Sequence, residues 1–123
     1  MVIKTFQKIK LLLLKMDQVK NIVVVMSGKG GVGKSTLAVQ MAHALNRLGN
    51  KVGVLDVDLC GPSIPAMFGV DQGHDVMKNE DNMWIPVLAP ASGGRTISLM
   101  SIAFLIKKND PVVWKGDFIV SVS

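Results

Sequence analysis

Between Asn21 and Asp58 the spacing of apolar residues changes twice, and each change predicts a new element. The run NIVVVMS, Asn21 to Ser27, is β-branched, of strand length, and followed at once by glycines. In STLAVQMAHALNRLG, which starts at Ser35, residues Leu37, Met41, Ala44, Leu45 and Leu48 recur on one helical face. Gly49 stands where that helix would stop. KVGVLDVD, Lys51 to Asp58, returns to a buried-strand pattern and ends in acids. Strand, glycine loop, helix, strand is a βαβ unit, which calls for a right-handed crossover and parallel strands.

The pattern loosens afterwards. PSIPAMFG predicts a short helix with Pro62 in its first turn. Residues Val70 to Asn82 are polar and loop-like. MWIPVLA reads as a strand, TISLMSIAFLI as a strand running into a helix, and PVVW as a short strand. No internal repeat and no low-complexity linker interrupts them.

Composition narrows the class. The chain of 123 residues is 49% hydrophobic and 19% charged, with a mean hydropathy of +0.38. High apolar content without a long apolar run predicts strands buried on both faces, as in parallel α/β sheets. No stretch approaches the roughly 18–20 apolar residues that span a bilayer.

The net charge of +5 points towards nucleic acid until it is located. Lys4, Lys8, Lys10 and Lys15 lie in the first 15 residues, where there is no acid. Removing those four from fourteen leaves ten basic side chains against nine acidic ones. The body is nearly neutral, without a basic face to displace counterions from a duplex, so no nucleic-acid partner is expected. The opening MVIKTFQKIKLLLLK lacks the apolar core and cleavage site of a secretory signal, and is poorer in Arg and Ser than a mitochondrial transit peptide. Its apolar residues form no single helical face, which weakens a membrane-surface reading. Residues 1–18 are expected to be a disordered basic extension, with Met16 as an alternative start. The single cysteine, Cys60, excludes an internal disulfide and fits a reducing, cytoplasmic setting.

The chemistry sits in the glycine loop. Gly28-Lys29-Gly30-Gly31-Val32-Gly33-Lys34-Ser35 fits G-x-x-x-x-G-K-S/T at every fixed position. Glycines let successive backbone N–H groups turn inward around an anion, and the helix that begins there adds its partial positive charge. Lys34 is placed to reach the β- and γ-phosphates, and the Ser35 hydroxyl to ligate Mg²⁺. Gly28, Gly30 and Gly33 also satisfy G-x-G-x-x-G, with Asp56 placed 23 residues on as a ribose acid would be. The Lys34-Ser35 pair decides between them, because a dinucleotide turn has no use for it.

Lys29 adds a family signal. K-G-G-x-G-K-S/T is the deviant phosphate loop of the ATPase class that includes the nitrogenase iron protein and the MinD and ParA positioning ATPases. The run LDVDLCGPSIPAMFG, Leu55 to Gly69, with ISLMSIAFLI and PVVWKG after it, closely resembles the Mrp-type nucleotide-binding proteins, the scaffold ATPases of iron–sulfur cluster assembly. The form DVDLCGPSIP looks most like their cytosolic eukaryotic branch. The resemblance covers about Val19 to Gly116.

That resemblance implies an α/β P-loop NTPase fold, with residues 19–116 the N-terminal part of a doubly wound, mainly parallel sheet. It implies ATP and Mg²⁺ as ligands and a homodimer, or a heterodimer with a related scaffold ATPase. Gly28 to Gly33 would form the cradle, Lys34, Ser35 and Thr36 the phosphate and magnesium contacts, and Lys29 the lysine that crosses to a partner's nucleotide. Asp58 would position the attacking water or sense the γ-phosphate, and Asp56 would stand behind Mg²⁺ through Ser35. Gly61-Pro62-Ser63 would be the switch segment, and Cys60 a small packed residue. The plainer readings are a solvated loop lysine for Lys29 and capping or loop carboxylates for the two acids.

The match then breaks off. The family continues W-R-G-P into a helix and a strand ending in D-T-P-P-G, the second magnesium acid, and later a C-x-x-C that holds a bridging cluster. Here Trp114 is followed by Lys115-Gly116 and a divergent tail, residues 117–123. The expectation is an incomplete sheet with exposed apolar edges, little or no hydrolysis, and no cluster site. Three readings follow: a piece of an iron–sulfur scaffold ATPase, a short nucleotide- or partner-binding form without turnover, and, weakest, a MinD-like positioning ATPase anchored by residues 1–15.

Overall fold

The structure, a computed structural model, describes residues 19–58, 63–71, 74–80, 84–104 and 118–122. The basic extension, Cys60, Gly61, Pro62 and the PVVW segment lie outside the described residues. Five strands form one sheet: β1 (Asn21–Val25), β2 (Val52–Asp56), β3 (Val87–Pro90), β4 (Thr96–Ser101) and β5 (Phe118–Val122), in the spatial order β1-β5-β2-β4-β3. The α-helices are α1 (Lys34–Arg47) and the single-turn α2 (Ile64–Met67); Ser92–Gly94 and Ile102–Phe104 form short 3-10 turns. The α/β class holds.

The sheet is mixed. β2 and β4 pair in parallel, β3 returns along β4 as a hairpin, and β5 runs antiparallel to both β1 and β2. Since β1 and β2 both oppose β5, they run the same way, as a βαβ unit requires. The slot between them belongs to the tail that the motif pattern left unassigned. Val120 stands opposite Val23 on one side and Val54 on the other. β1 remains at an edge, with Val23 and Val24 exposed.

The strands alternate rather than bury both faces. Val52, Val54 and Asp56 of β2 and Ile97, Leu99 and Ser101 of β4 are buried, while Gly53, Leu55, Ser98 and Met100 are half-buried. Among the described residues, helix covers one face only. α1 lies on it, and the core joins Ala38, Val39 and Ala42 to Val25, Val52, Val54, Ile64, Phe68, Ala89, Ile97 and Leu99.

The buried stripe of α1 is not the leucine stripe. Ala38, Val39, Ala42 and Asn46 are buried, Met41 and Leu45 pack at the margin, and Leu37 and Leu48 are 60% and 78% exposed. Small side chains let the helix axis approach the sheet, and the flanking leucines are turned away from it. The helix stops as expected at Gly49, whose φ of 93° is open to glycine. The N–H of Asn50 donates to Leu45 O and that of Gly49 to Asn46 O, the paired bonds of a Schellman ending. Arg95 donates to the carbonyls of Asn46 and Arg47 at 3.1 and 3.2 Å, placing a cation on the negative end of the helix.

Two further boundaries move. β3 begins only at Val87, because Pro86 cannot donate to a ladder; Trp84 makes one isolated bridge to Lys78, whose ammonium sits 4.4 Å from the indole centroid. In α2 the first-turn proline is Pro65. Among the described residues no helix is long and apolar enough to cross a membrane.

Candidate functional site

β1 hands the chain to the glycine loop at Val25, the one buried position of that strand. The Ser27 hydroxyl accepts the Lys29 N–H at 3.1 Å and donates to the Lys29 carbonyl at 3.0 Å, folding the loop at its start. Lys29 is left exposed on the rim. Gly31 and Gly33 then adopt φ of 72° and 90°, which a Cβ would strain. Gly33 is the N-cap of α1, without a side-chain cap, and its carbonyl accepts the Leu37 N–H at 2.9 Å. By helix geometry the N–H groups of Lys34, Ser35 and Thr36 point out of the first turn towards the loop.

Gly28 and Gly30 are informative for the opposite reason. Neither has a positive φ, and a Cβ built on either meets nothing within 4 Å. Nothing among the described residues requires glycine there. A group from outside that comes against the backbone, such as an anion held by loop N–H groups, would require it.

The carboxylates lie at the end of β2, which is separated from β1 by β5. Asp56 closes β2 and is wholly buried. Its Oδ1 accepts the Asp58 N–H and its Oδ2 accepts the Ser101 hydroxyl, both at 3.0 Å. The second bond follows from register, since Asp56 pairs with Ser101 across the parallel β2–β4 ladder. Ser101 in turn accepts the Ala103 N–H at 3.1 Å. Burial raises the Asp56 pKa to about 6; the bonds from Asp58 N–H and Ser101 oppose the rise, and the Asp58 charge adds to it. Asp58, half-buried, is thereby held on the loop that leads towards α2. From the start of α2, the Ser63 hydroxyl reaches Ser35 Oγ at 3.0 Å.

The phosphate loop, Ser35 and the segment around Ser63 therefore meet, and Asp56 anchors the loop of Asp58 beside them. Ser101 was not singled out from the pattern. Its signal was a polar residue where β4 should continue the buried series Ile97, Leu99.

Comparison with known proteins bears directly on this arrangement. The ParA family model, described as NUBPL iron-transfer P-loop NTPase, matches residues 18–122. The chain belongs to that family. This NUBPL-type chain is 53% identical over 102 residues to the cytosolic Fe-S cluster assembly factor Nubp2 homolog of Drosophila virilis, and 51% identical to that of Drosophila melanogaster. Each alignment covers 82% of the chain but only 37% and 38% of those proteins, so the NUBPL-type chain spans little more than a third of their length. A nucleotide-binding protein from Archaeoglobus fulgidus, solved in complex with ADP and with cobalt, is 47% identical. It superposes with a TM-score of 0.57, covering 66% of this chain and 31% of that one.

Proposed function

We propose that this chain binds ADP or ATP with Mg²⁺ through Gly28 to Thr36, as the nucleotide-binding part of a cytoplasmic iron–sulfur cluster assembly ATPase. The observation that carries the reading is the loop itself: Gly31 and Gly33 at positive φ, an α1 N-terminus without a side-chain cap, and open space where Gly28 and Gly30 would carry a Cβ. In this reading the loop backbone and Lys34 hold the phosphates, Ser35 offers its hydroxyl to the metal, and Thr36 completes the first turn. Asp58 orients water or senses the terminal phosphate. Asp56 supports the site from behind through its grip on the Asp58 loop; its carboxylate bonds the Asp58 N–H and the Ser101 hydroxyl and not Ser35, whose hydroxyl meets Ser63 instead. Lys29, exposed on the rim, is available to a second nucleotide across a homodimer or a heterodimer with a related ATPase. Mg²⁺ neutralises charge on the phosphates when bound.

One cysteine offers at most one thiolate, so these residues do not fit a cluster held by a cysteine pair.

Calorimetric titration with ADP, with and without Mg²⁺, tests the reading. Lys34→Ala removes a charge-assisted contact, and affinity should fall about 10- to 100-fold. Gly30→Ala should leave the urea midpoint within experimental scatter yet weaken ADP several-fold, because its Cβ meets only the ligand. Absence of saturable ADP binding, or full binding by Lys34→Ala, would sink the proposal.

A further inference from the structure

Ser63 is a serine in a capping position that does not cap. It is the N-cap residue of α2, with φ −87° and ψ −16°, and its hydroxyl makes no bond to its own helix. With ψ in the helical region and not the extended region of a capping residue, the hydroxyl is not aimed at the N–H of Ala66, and Pro65 has no N–H to offer. The hydroxyl instead lies 3.0 Å from Ser35 Oγ, 28 residues earlier in the chain. The platform behind it is firm. Ile64 and Pro65 are fully buried, Phe68 is buried, and the Phe68 ring lies 5.1 Å from the His43 ring of α1. α2 is thus packed on the helix that carries Ser35, and it presents one hydroxyl to one side chain of the phosphate loop's helix.

A serine side chain has three staggered wells of similar energy, and only some aim Oγ at a given point. A bond from a fixed donor selects one of them. Ser63 O–H donates to one lone pair of Ser35 Oγ and leaves the other for a cation.

We propose that Ser63 is a positioning residue for the magnesium of a bound nucleotide, holding the Ser35 hydroxyl in the orientation that meets the metal. The inference rests on the phosphate-loop reading above and adds to it a residue from a different element. It links the segment after β2 to the metal site through a side chain, so occupancy at Ser35 is coupled to the placement of α2.

The readout is the gain in ADP affinity that Mg²⁺ provides, measured by calorimetry as the ratio of dissociation constants in EDTA and in Mg²⁺. Ser63→Ala should reduce that gain about 5- to 10-fold, the loss of one hydrogen bond's worth of orientation, while leaving ADP affinity in EDTA unchanged. Ser63→Thr keeps the hydroxyl and should restore the wild-type ratio. In the Ser35→Ala background, adding Ser63→Ala should cost nothing further, because the two hydroxyls act as one unit. Equal losses in EDTA and Mg²⁺, no loss at all, failure of Thr to restore, or additive losses in the double variant would each overturn the inference. If wild type binds ADP in a Lys34-dependent way and Ser63→Ala behaves as wild type, this inference alone fails. If wild type binds no ADP, the phosphate-loop reading fails and takes this one with it.

Discussion

Val120→Pro should abolish cooperative unfolding of the chain and, with it, the proposed nucleotide site. Val120 is the central residue of β5, opposite Val23 of β1 and Val54 of β2. Proline there removes a ladder donor and forces its ring into a strand flanked on both sides, a position natural sheets reserve for other residues. The cost is about 3 kcal/mol or more. A small domain has only about 5–15 kcal/mol of stability in all, and one this short lies towards the low end. Among the described residues β1 pairs with β5 alone, so loosening β5 also frees the strand that feeds the phosphate loop. Far-UV circular dichroism through a urea titration reads the outcome. A sigmoid with the wild-type midpoint would mean that β5 does not occupy the slot between β1 and β2.

Asp56→Asn should stabilise the nucleotide-free, metal-free chain at neutral pH and flatten its pH dependence. Burial pushes the folded pKa of Asp56 up to about 6, from an ordinary value of 3.8. Between those two values the folded chain keeps a proton that the unfolded chain has released, so stability falls as pH rises through this window. Below about pH 4 both states are protonated and the group contributes nothing. Above pH 6 the wild type carries the whole cost, on the order of 3 kcal/mol. Asparagine retains an acceptor for the Asp58 N–H and carries no charge to bury. The variant should therefore gain most at pH 7–8 and converge on wild type near pH 4, in urea midpoints measured across that range. Parallel profiles for the two proteins would show that burial of the Asp56 charge is not the cause of the slope.

Much of the candidate site can be proposed from the chain because its signals are local. A phosphate loop needs glycines at fixed offsets and a Lys-Ser pair at a helix start, and all of these lie within eight residues, Gly28 to Ser35. The stop at Gly49 is equally local, since a left-handed residue closes a helix through bonds to the last few carbonyls. The βαβ order followed from changes of period alone. The helix face did not. α1 offers a leucine stripe and an alanine stripe, and periodicity cannot say which lies closer to a sheet whose shape is not yet known.

The sequence by itself determined the class of the protein, the place of its phosphate loop, and the residue types able to meet a nucleotide. Only the tertiary structure decided which remote residues reach the candidate site. Ser101 reaches Asp56 because β2 and β4 pair in one register, and a shift of one residue would point it to the other face. Ser63 reaches Ser35 because α2 packs on α1. The tail enters the middle of the sheet because β1 and β2 leave a strand-wide gap that an antiparallel segment can fill. These are contacts between segments far apart in the chain, and no window of local sequence carries their geometry.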